Sequence, residues 1–288
     1  MDRTSNTRFV LVTGASTGIG RACARELDQR GFTVFAGVRR TQDGDALRAN
    51  ASDRLTPIRL DVAKDEDVAA AADTLGAACG EAGLHALINN AGIALGGPLE
   101  TVDMTEFRQQ LDVNVSGLVA VTRACIPLLR QAKHSTIVNM GSVSGVATIP
   151  FVGPYAASKH AVEAISDSLR VELRPWGIRV VLFQPGVVKT PIWDKSREDA
   201  ARRRAAMGDE ANRCYGTALD RMMHELDHVE KRGITPEALA RHVADAIEAA
   251  RPKTRYLLGG GARAQAFLGR HIPDRLRDWL FAKMLGHG

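Results

Sequence analysis

The chain has 288 residues, of which 45% are hydrophobic, 25% charged and 5% aromatic, and it carries a formal net charge of +5. This is a soluble globular composition, and no apolar stretch approaches the ~20 residues of a membrane span, so stable membrane insertion is not expected. The basic balance raises nucleic-acid binding, but no basic run is interleaved with aromatics, which excludes nucleic acid and favours an enzyme that binds phosphates.

Residues 1–8 are polar and run straight into an apolar strand at 9–12, so no signal peptide is expected. A helix follows over residues 19–30, then strands at 33–38, 55–60, 84–88, 136–140, 178–183 and 255–258. Continuous apolar strands separated by helical segments predict an α/β fold, a doubly wound parallel sheet covered on both faces. Asp103-Met104-Thr105-Glu106 has capping-box spacing, and Thr235-Pro236 places a cap before a proline at the first helical position. No linker or repeat interrupts residues 1–288, which read as one domain. Residues 191–233 are charged, helical and strand-free, and they read as a lid over the carboxyl ends of the strands. In the tail, residues 261–288, Leu276, Trp279, Leu280 and Met284 recur at helical spacing, as in a helix packed on its own domain or on a sister subunit. Cys23, Cys79, Cys125 and Cys214 are scattered, which predicts reduced thiols in a cytoplasmic protein and neither disulfide nor metal site.

The turn after the first strand reads Thr13-Gly14-Ala15-Ser16-Thr17-Gly18-Ile19-Gly20 and opens a helix. Glycines there let the backbone approach a pyrophosphate seated on the helix N-terminus. The spacing is GxxxGxG, not the commoner GxGxxG. Tyr155 and Lys159 stand four apart, on one helical face. A nearby ammonium favours phenolate over phenol, so the pair suits proton exchange with an alcohol or carbonyl.

Residues 13–20, Asn89-Asn90-Ala91-Gly92, Asn114, Ser142, Tyr155-x-x-x-Lys159 and Pro185-Gly186 fall in order at intervals that resemble the short-chain dehydrogenase/reductase family, closely over residues 9–190. The resemblance implies a single Rossmann-type domain of about seven strands with helices on both faces. It also implies cofactor contacts from Gly14, Ser16, Thr17, Gly18, Ile19 and Gly20, and from Asp61 and Val62 at the adenine. Asn89, Ala91 and Gly92 would line the adenosine-ribose side, and Pro185, Gly186, Val188 and Thr190 the nicotinamide end. The acid that this family sets at the end of the second strand to accept ribose hydroxyls is here Val38, followed by Arg39-Arg40. A missing acid and a new guanidinium favour NADP(H), with NAD(H) possible.

By resemblance Tyr155 is the proton donor and base, Lys159 lowers its pKa and binds the nicotinamide ribose, and Ser142 polarises the substrate oxygen, with Ser144 the competing serine. Asn114 would interrupt the long helix and hold a water that relays protons to the lysine. The segments around residues 166–170 and 184–193 look like the retinol/hydroxysteroid branch, whose membrane-bound members carry an N-terminal anchor; from the polar start of this sequence no such anchor is expected. Ile192, Trp193, Met207, Tyr215, Met222 and Met223 of the lid would wall an apolar cavity for a lipophilic alcohol, ketone or aldehyde. The alternatives are a 3-oxoacyl-type reductase and a non-catalytic NADP-binding regulator. A homodimer or homotetramer is implied, pairing the helices at 104–131 and 155–174.

Overall fold

The computed structural model describes residues 7–230 and 233–286, with the side chains of residues 192–196 and 225–230 outside that description. The sheet strands are β1 (Phe9–Val12), β2 (Thr33–Val38), β3 (Leu55–Arg59), β4 (Leu84–Asn89), β5 (Thr136–Met140), β6 (Arg179–Pro185) and β7 (Arg255–Leu258). All pair in parallel, in the order β3-β2-β1-β4-β5-β6-β7. The helices that cover or overhang this sheet are α1 (Gly18–Gln29), α2 (Thr41–Arg48), α3 (Asp65–Cys79), α4 (Met104–Leu111), α5 (Gly117–Gln131) and α6 (Gly153–Glu172). They continue with α7 (Ile192–Ala206), α8 (Asp209–Glu230), α9 (Pro236–Glu248), α10 (Ala262–His271) and α11 (Asp274–Leu285).

Alternation along each strand divides the core in two. Val10 and Val12 of β1 face Cys23 and Leu27 of α1 and Leu239 and Val243 of α9. Leu11, between them, faces the other layer with Leu75 of α3 and Val121 and Leu129 of α5. Each buried Leu or Val stabilises the fold by about 1.5–3 kcal/mol relative to exposure, which is why the strands read as unbroken apolar runs. Strand order reverses direction at β1 and β4, and the carboxyl ends of those two strands leave the crevice where ligands enter open α/β sheets.

Both predicted helix starts form. The Asp103 carboxylate accepts from the amides of Thr105 and Glu106, and the Thr235 hydroxyl accepts from the Ala238 amide. The helix from Met104 is broken, as expected near Asn114: residues Asp112–Ser116 form a π-turn between α4 and α5. One expectation needs correction. The run Met104–Gln131 is long and apolar enough to cross a membrane by length and composition. Here Leu118, Val121, Cys125 and Leu129 bury one face of it on the domain's own core. The tail is helical, as expected. It forms two helices, and Leu276, Trp279, Leu280 and Met284 point outward, while α11 packs through Leu285 on Met222 of α8. Of the polar N-terminal stretch, residues 1–6 lie outside the described residues.

Candidate active site

A cleft of about 740 Å³ opens at the carboxyl ends of β1 and β4. Gly14, Ser16, Thr17, Gly18 and Ile19 form its floor, Arg39, Asp61 and Val62 one end, and Ser142, Tyr155, Lys159, Pro185, Gly186, Val188 and Thr190 the other.

The floor is built for close approach. Gly14 has φ +64°, and a Cβ there would stand 2.8 Å from the Ala91 Cα. A Cβ on Gly20 would stand 2.2 Å from the Gly14 carbonyl oxygen, so Gly20 lies beneath the turn rather than on the cleft surface. The first turn of α1 has neither a side-chain cap nor an acidic residue, so its amides face the cleft free to meet an anion. Arg21 donates from Nε to the Ser16 carbonyl at 2.9 Å and steadies the turn.

Asn89 is corrected. Its side chain is buried, donating to Thr122 Oγ1 at 2.8 Å and Asn139 Oδ1 at 2.9 Å, away from the cleft. Its neighbour Asn90 lines the cleft, donating from Nδ2 to the carbonyls of Thr13 and Gly14 at 3.0 and 3.1 Å. Thr13, also absent from the expected site, accepts at Oγ1 from the amides of Asn90 and Ala91 at 2.9 and 3.0 Å. Together they lock the glycine turn to the strand beside it. The asparagine pair was visible in the sequence; which of the two turns inward was not.

At the β2 end, Val38 is buried and Arg40 is occupied by a two-point ion pair with Asp43, at 3.0 and 2.9 Å. Arg39 lines the cleft with no ion pair to an acid among the described residues. Asp61 accepts at Oδ1 from the Ala63 amide at 3.2 Å, and Val62 packs against Gly117.

At the other end, α6 carries Tyr155 and Lys159 into the cleft wall opposite Ser142, which caps the short turn after β5 by accepting from the Ser144 amide. Ser142, not Ser144, lines the cleft. Lys159 is buried and donates from Nζ to the Met140 carbonyl at 2.7 Å, with Nζ 5.7 Å from the centre of the Tyr155 ring. Burial pushes the Lys159 ammonium down to about 8. The Tyr155 pKa is raised, chiefly by burial, while its hydrogen bond with Ser142 pulls the other way. The expected direction was a depression by Lys159; here burial sets the direction and the pKa is raised. Asn114 is buried behind the cleft. Its Oδ1 accepts from the Ile93 amide at 2.8 Å, and its Nδ2 donates to the Ile93 carbonyl and Ser158 Oγ at 2.9 and 3.0 Å. It pins the loop after β4 to α6; the π-turn supplies the room for that side chain to leave the helix.

The lid wall differs from expectation. The cleft meets α7 at Asp199, Arg202 and Arg203 and α4 at Glu106 and Gln109, with Ile93, Ala94 and Leu95 as its apolar patch. Arg203 and Arg202 both reach Glu106, at 2.8 and 3.3 Å. Met222 is instead buried among Ala218, Leu285, Ile149 and Phe151, and Tyr215 donates to Glu100 at 2.5 Å. Met207 and Met223 do not line the cleft, and the side chains of Ile192 and Trp193 lie outside the described residues. Among the described lid residues, Ala218 and Met222 thus pack on the body and the tail.

The chain is similar to known proteins in sequence and fold. The profile of the family described as short chain dehydrogenase matches residues 8–201. The chain is 35% identical over 285 residues to the NADPH-dependent 3-dehydrocapnine reductase of Ornithobacterium rhinotracheale, covering 96% of this chain and 97% of that protein. It is 35% identical over 286 residues to retinol dehydrogenase 16 of Homo sapiens, covering 94% of this chain and 86% of that protein. A short-chain dehydrogenase structure from Streptomyces avermitilis superposes with a TM-score of 0.77 at 25% identity, over 99% of this chain and 98% of that one.

Proposed function

The chain belongs to the short-chain dehydrogenase family, an oxidoreductase family, and we propose that it transfers hydride between NADP(H) and a secondary alcohol/ketone or an aldehyde on a lipophilic, steroid- or retinoid-like molecule. Ser142, Tyr155 and Lys159 converging on one cleft with the glycine turn is the observation that carries this reading.

The residues present fit a dinucleotide. Only glycine at positions 14 and 20 leaves the turn open to a pyrophosphate, and the α1 amides beside it are uncapped. Arg39 is the guanidinium left to meet a 2′-phosphate, since Arg40 is held by Asp43. Asp61 and Val62 would hold the adenine, and Pro185, Gly186, Val188 and Thr190 the nicotinamide end. When bound, the nicotinamide supplies or accepts the hydride.

The chain's own groups handle oxygen and proton. In reduction negative charge grows on the substrate oxygen; the Ser142 hydroxyl holds that oxygen and Tyr155 gives it a proton. In oxidation Tyr155 takes the proton back. Lys159 spends one donor on Met140, and the remaining two are free for ribose hydroxyls and for stabilising the phenolate. Asn114 is a positioning residue behind the cleft, holding the Ile93 loop against Ser158 of α6. Ile93, Ala94 and Leu95 offer the apolar contact a lipophilic substrate needs, and the likeness to retinol dehydrogenase 16 supports that class.

The same reading places the enzyme in the cytoplasm, in keeping with four free thiols. It also makes the enzyme a homodimer or homotetramer paired through α5 and α6, where Val119 and Val171 are exposed. Light scattering on the purified protein tests the assembly. The function is tested by titrating the protein with NADPH and NADH and then following NADPH consumption against a panel of lipophilic ketones and aldehydes. Tight NADPH binding with turnover of a panel member is the expected result. NADPH binding without turnover of any carbonyl or alcohol would mark a non-catalytic binder.

A further inference from the structure

An amphipathic helix ordinarily turns its apolar stripe toward a core. Helix α11 carries apolar residues on both sides, and its larger apolar group is turned outward. Leu276, Trp279, Leu280 and Met284 follow the spacing of one helical face and are 47, 55, 42 and 38% exposed. The opposite side of the helix makes the attachment: Leu285 is buried on α8, and Arg221 donates to the Leu285 carbonyl at 2.9 Å. On α10, Phe267 is also exposed, while Ala262 and Ala266 pack on Val143. Half of the exposed large apolar side chains among the described residues therefore lie between residues 267 and 284.

Charge tells what covers this face. Arg263, Arg270, Arg275 and Lys283 have no acidic partner at ion-pair distance among the described residues. The two local acids, Asp274 and Asp278, are both engaged by Arg277, at 2.8 and 3.9 Å. Lys283 lies within the apolar stripe, its Nζ 5.2 Å from the Trp279 ring centre. An apolar centre holding a tryptophan, rimmed by unneutralised cations on aliphatic stems, matches the boundary between headgroups and acyl chains of an anionic membrane. A second copy of the same face is a poor match, because it would set unpaired cations against unpaired cations.

We propose that α10 and α11 form a peripheral docking face for an anionic lipid bilayer. α11 lies in the plane of the interface without crossing it, Leu276, Trp279, Leu280 and Met284 enter the acyl boundary, and Arg275 and Lys283 meet the headgroups. The proposal does not depend on the catalytic reading, although α10 is supported by Val143, the residue after Ser142, so the docking face and the cleft share one support.

Co-sedimentation of the full chain with vesicles of phosphatidylcholine, and of phosphatidylcholine mixed with phosphatidylglycerol, tests it. The expected result is binding to the mixed vesicles, weakened by salt, with a blue shift of tryptophan emission that Trp279→Phe removes. Lys283→Gln lowers the partition coefficient roughly fivefold, the worth of one cation at an anionic surface. Leu276→Glu with Leu280→Glu abolishes sedimentation while NADPH affinity and the circular dichroism spectrum stay unchanged. No binding to the mixed vesicles, or binding indifferent to the paired glutamates, overturns the proposal. So does a parent protein that stays in the supernatant and that the same pair converts to a smaller oligomer, since a second copy would then cover the face.

Discussion

In the body of the cleft, side chains hold backbone; where the lid meets the cleft, side chains hold side chains. Asn90 grips the Thr13 and Gly14 carbonyls, Asn114 grips both polar groups of Ile93, and Lys159 grips the Met140 carbonyl. These contacts are buried or half-buried, each with one geometry, and removing one leaves an unpaired group out of reach of water. Across the cleft Arg202 and Arg203 meet Glu106, and within the lid Arg204 meets Asp220, all partly open to solvent. Such pairs are worth about 0.2–1 kcal/mol each and are screened by salt. The chemistry therefore sits on a fixed frame and recognition on an adjustable one.

The contrast is sharpest at the reacting end. Tyr155→Phe removes the proton donor without touching the frame, so turnover falls roughly 10²–10⁴-fold while NADPH affinity holds, as steady-state kinetics beside a binding titration will show. The frame itself breaks at Gly20→Ala. Its Cβ would stand 2.2 Å from the Gly14 oxygen, so the turn or Asn90 must move. Thermal melting should register a loss of about 1–3 kcal/mol, with cofactor affinity falling alongside it. Arg39→Ala lies at the open end of the cleft and removes a charged contact worth about 1.5–3 kcal/mol. NADPH affinity should drop roughly 10- to 100-fold and NADH affinity stay level; an equal loss for both would remove Arg39 from phosphate recognition. The smallest effect belongs to the lid. Arg203→Ala should shift stability by less than about 1 kcal/mol and alter KM more than kcat. A collapse of kcat there would contradict the division between frame and lid.

The frame was legible in the sequence because its signals are local. Unbroken apolar strands imply a sheet buried on both faces, and glycines at 14, 18 and 20 imply a turn that tolerates no side chain. The family resemblance implied a helix interruption at Asn114, and the structure forms it as a π-turn; the bonds Asn114 makes to Ile93 and Ser158 belong to tertiary packing. Adjacent residues at a strand end face opposite ways, so Asn89 and Asn90 exchange roles on a one-residue difference in register. The raised pKa of Tyr155 comes from burial, which a Tyr-to-Lys spacing does not report. Periodicity marked the stripes of α8 and α11 without saying what each faces: Met222 of the first turns to the body and Leu276 of the second to solvent. That is why an apolar lid wall was expected where Arg202 and Arg203 stand.

The central claim is that Tyr155 exchanges a proton with the substrate oxygen, and the pH dependence of kcat/KM in both directions tests it most directly. Burial holds the Tyr155 pKa above its ordinary 10.0, so the phenol needed for reduction is fully present at neutral pH. Reduction should be level through neutrality and decline on the alkaline side, beginning as Lys159 loses its proton at about 8. Oxidation needs the phenolate and should climb about tenfold per pH unit below that point. Opposite slopes in the parent protein, absent from the residual activity of Tyr155→Phe, are the predicted result. Parallel or flat profiles, or a Tyr155→Phe variant that keeps the parent's profile and rate, would contradict it.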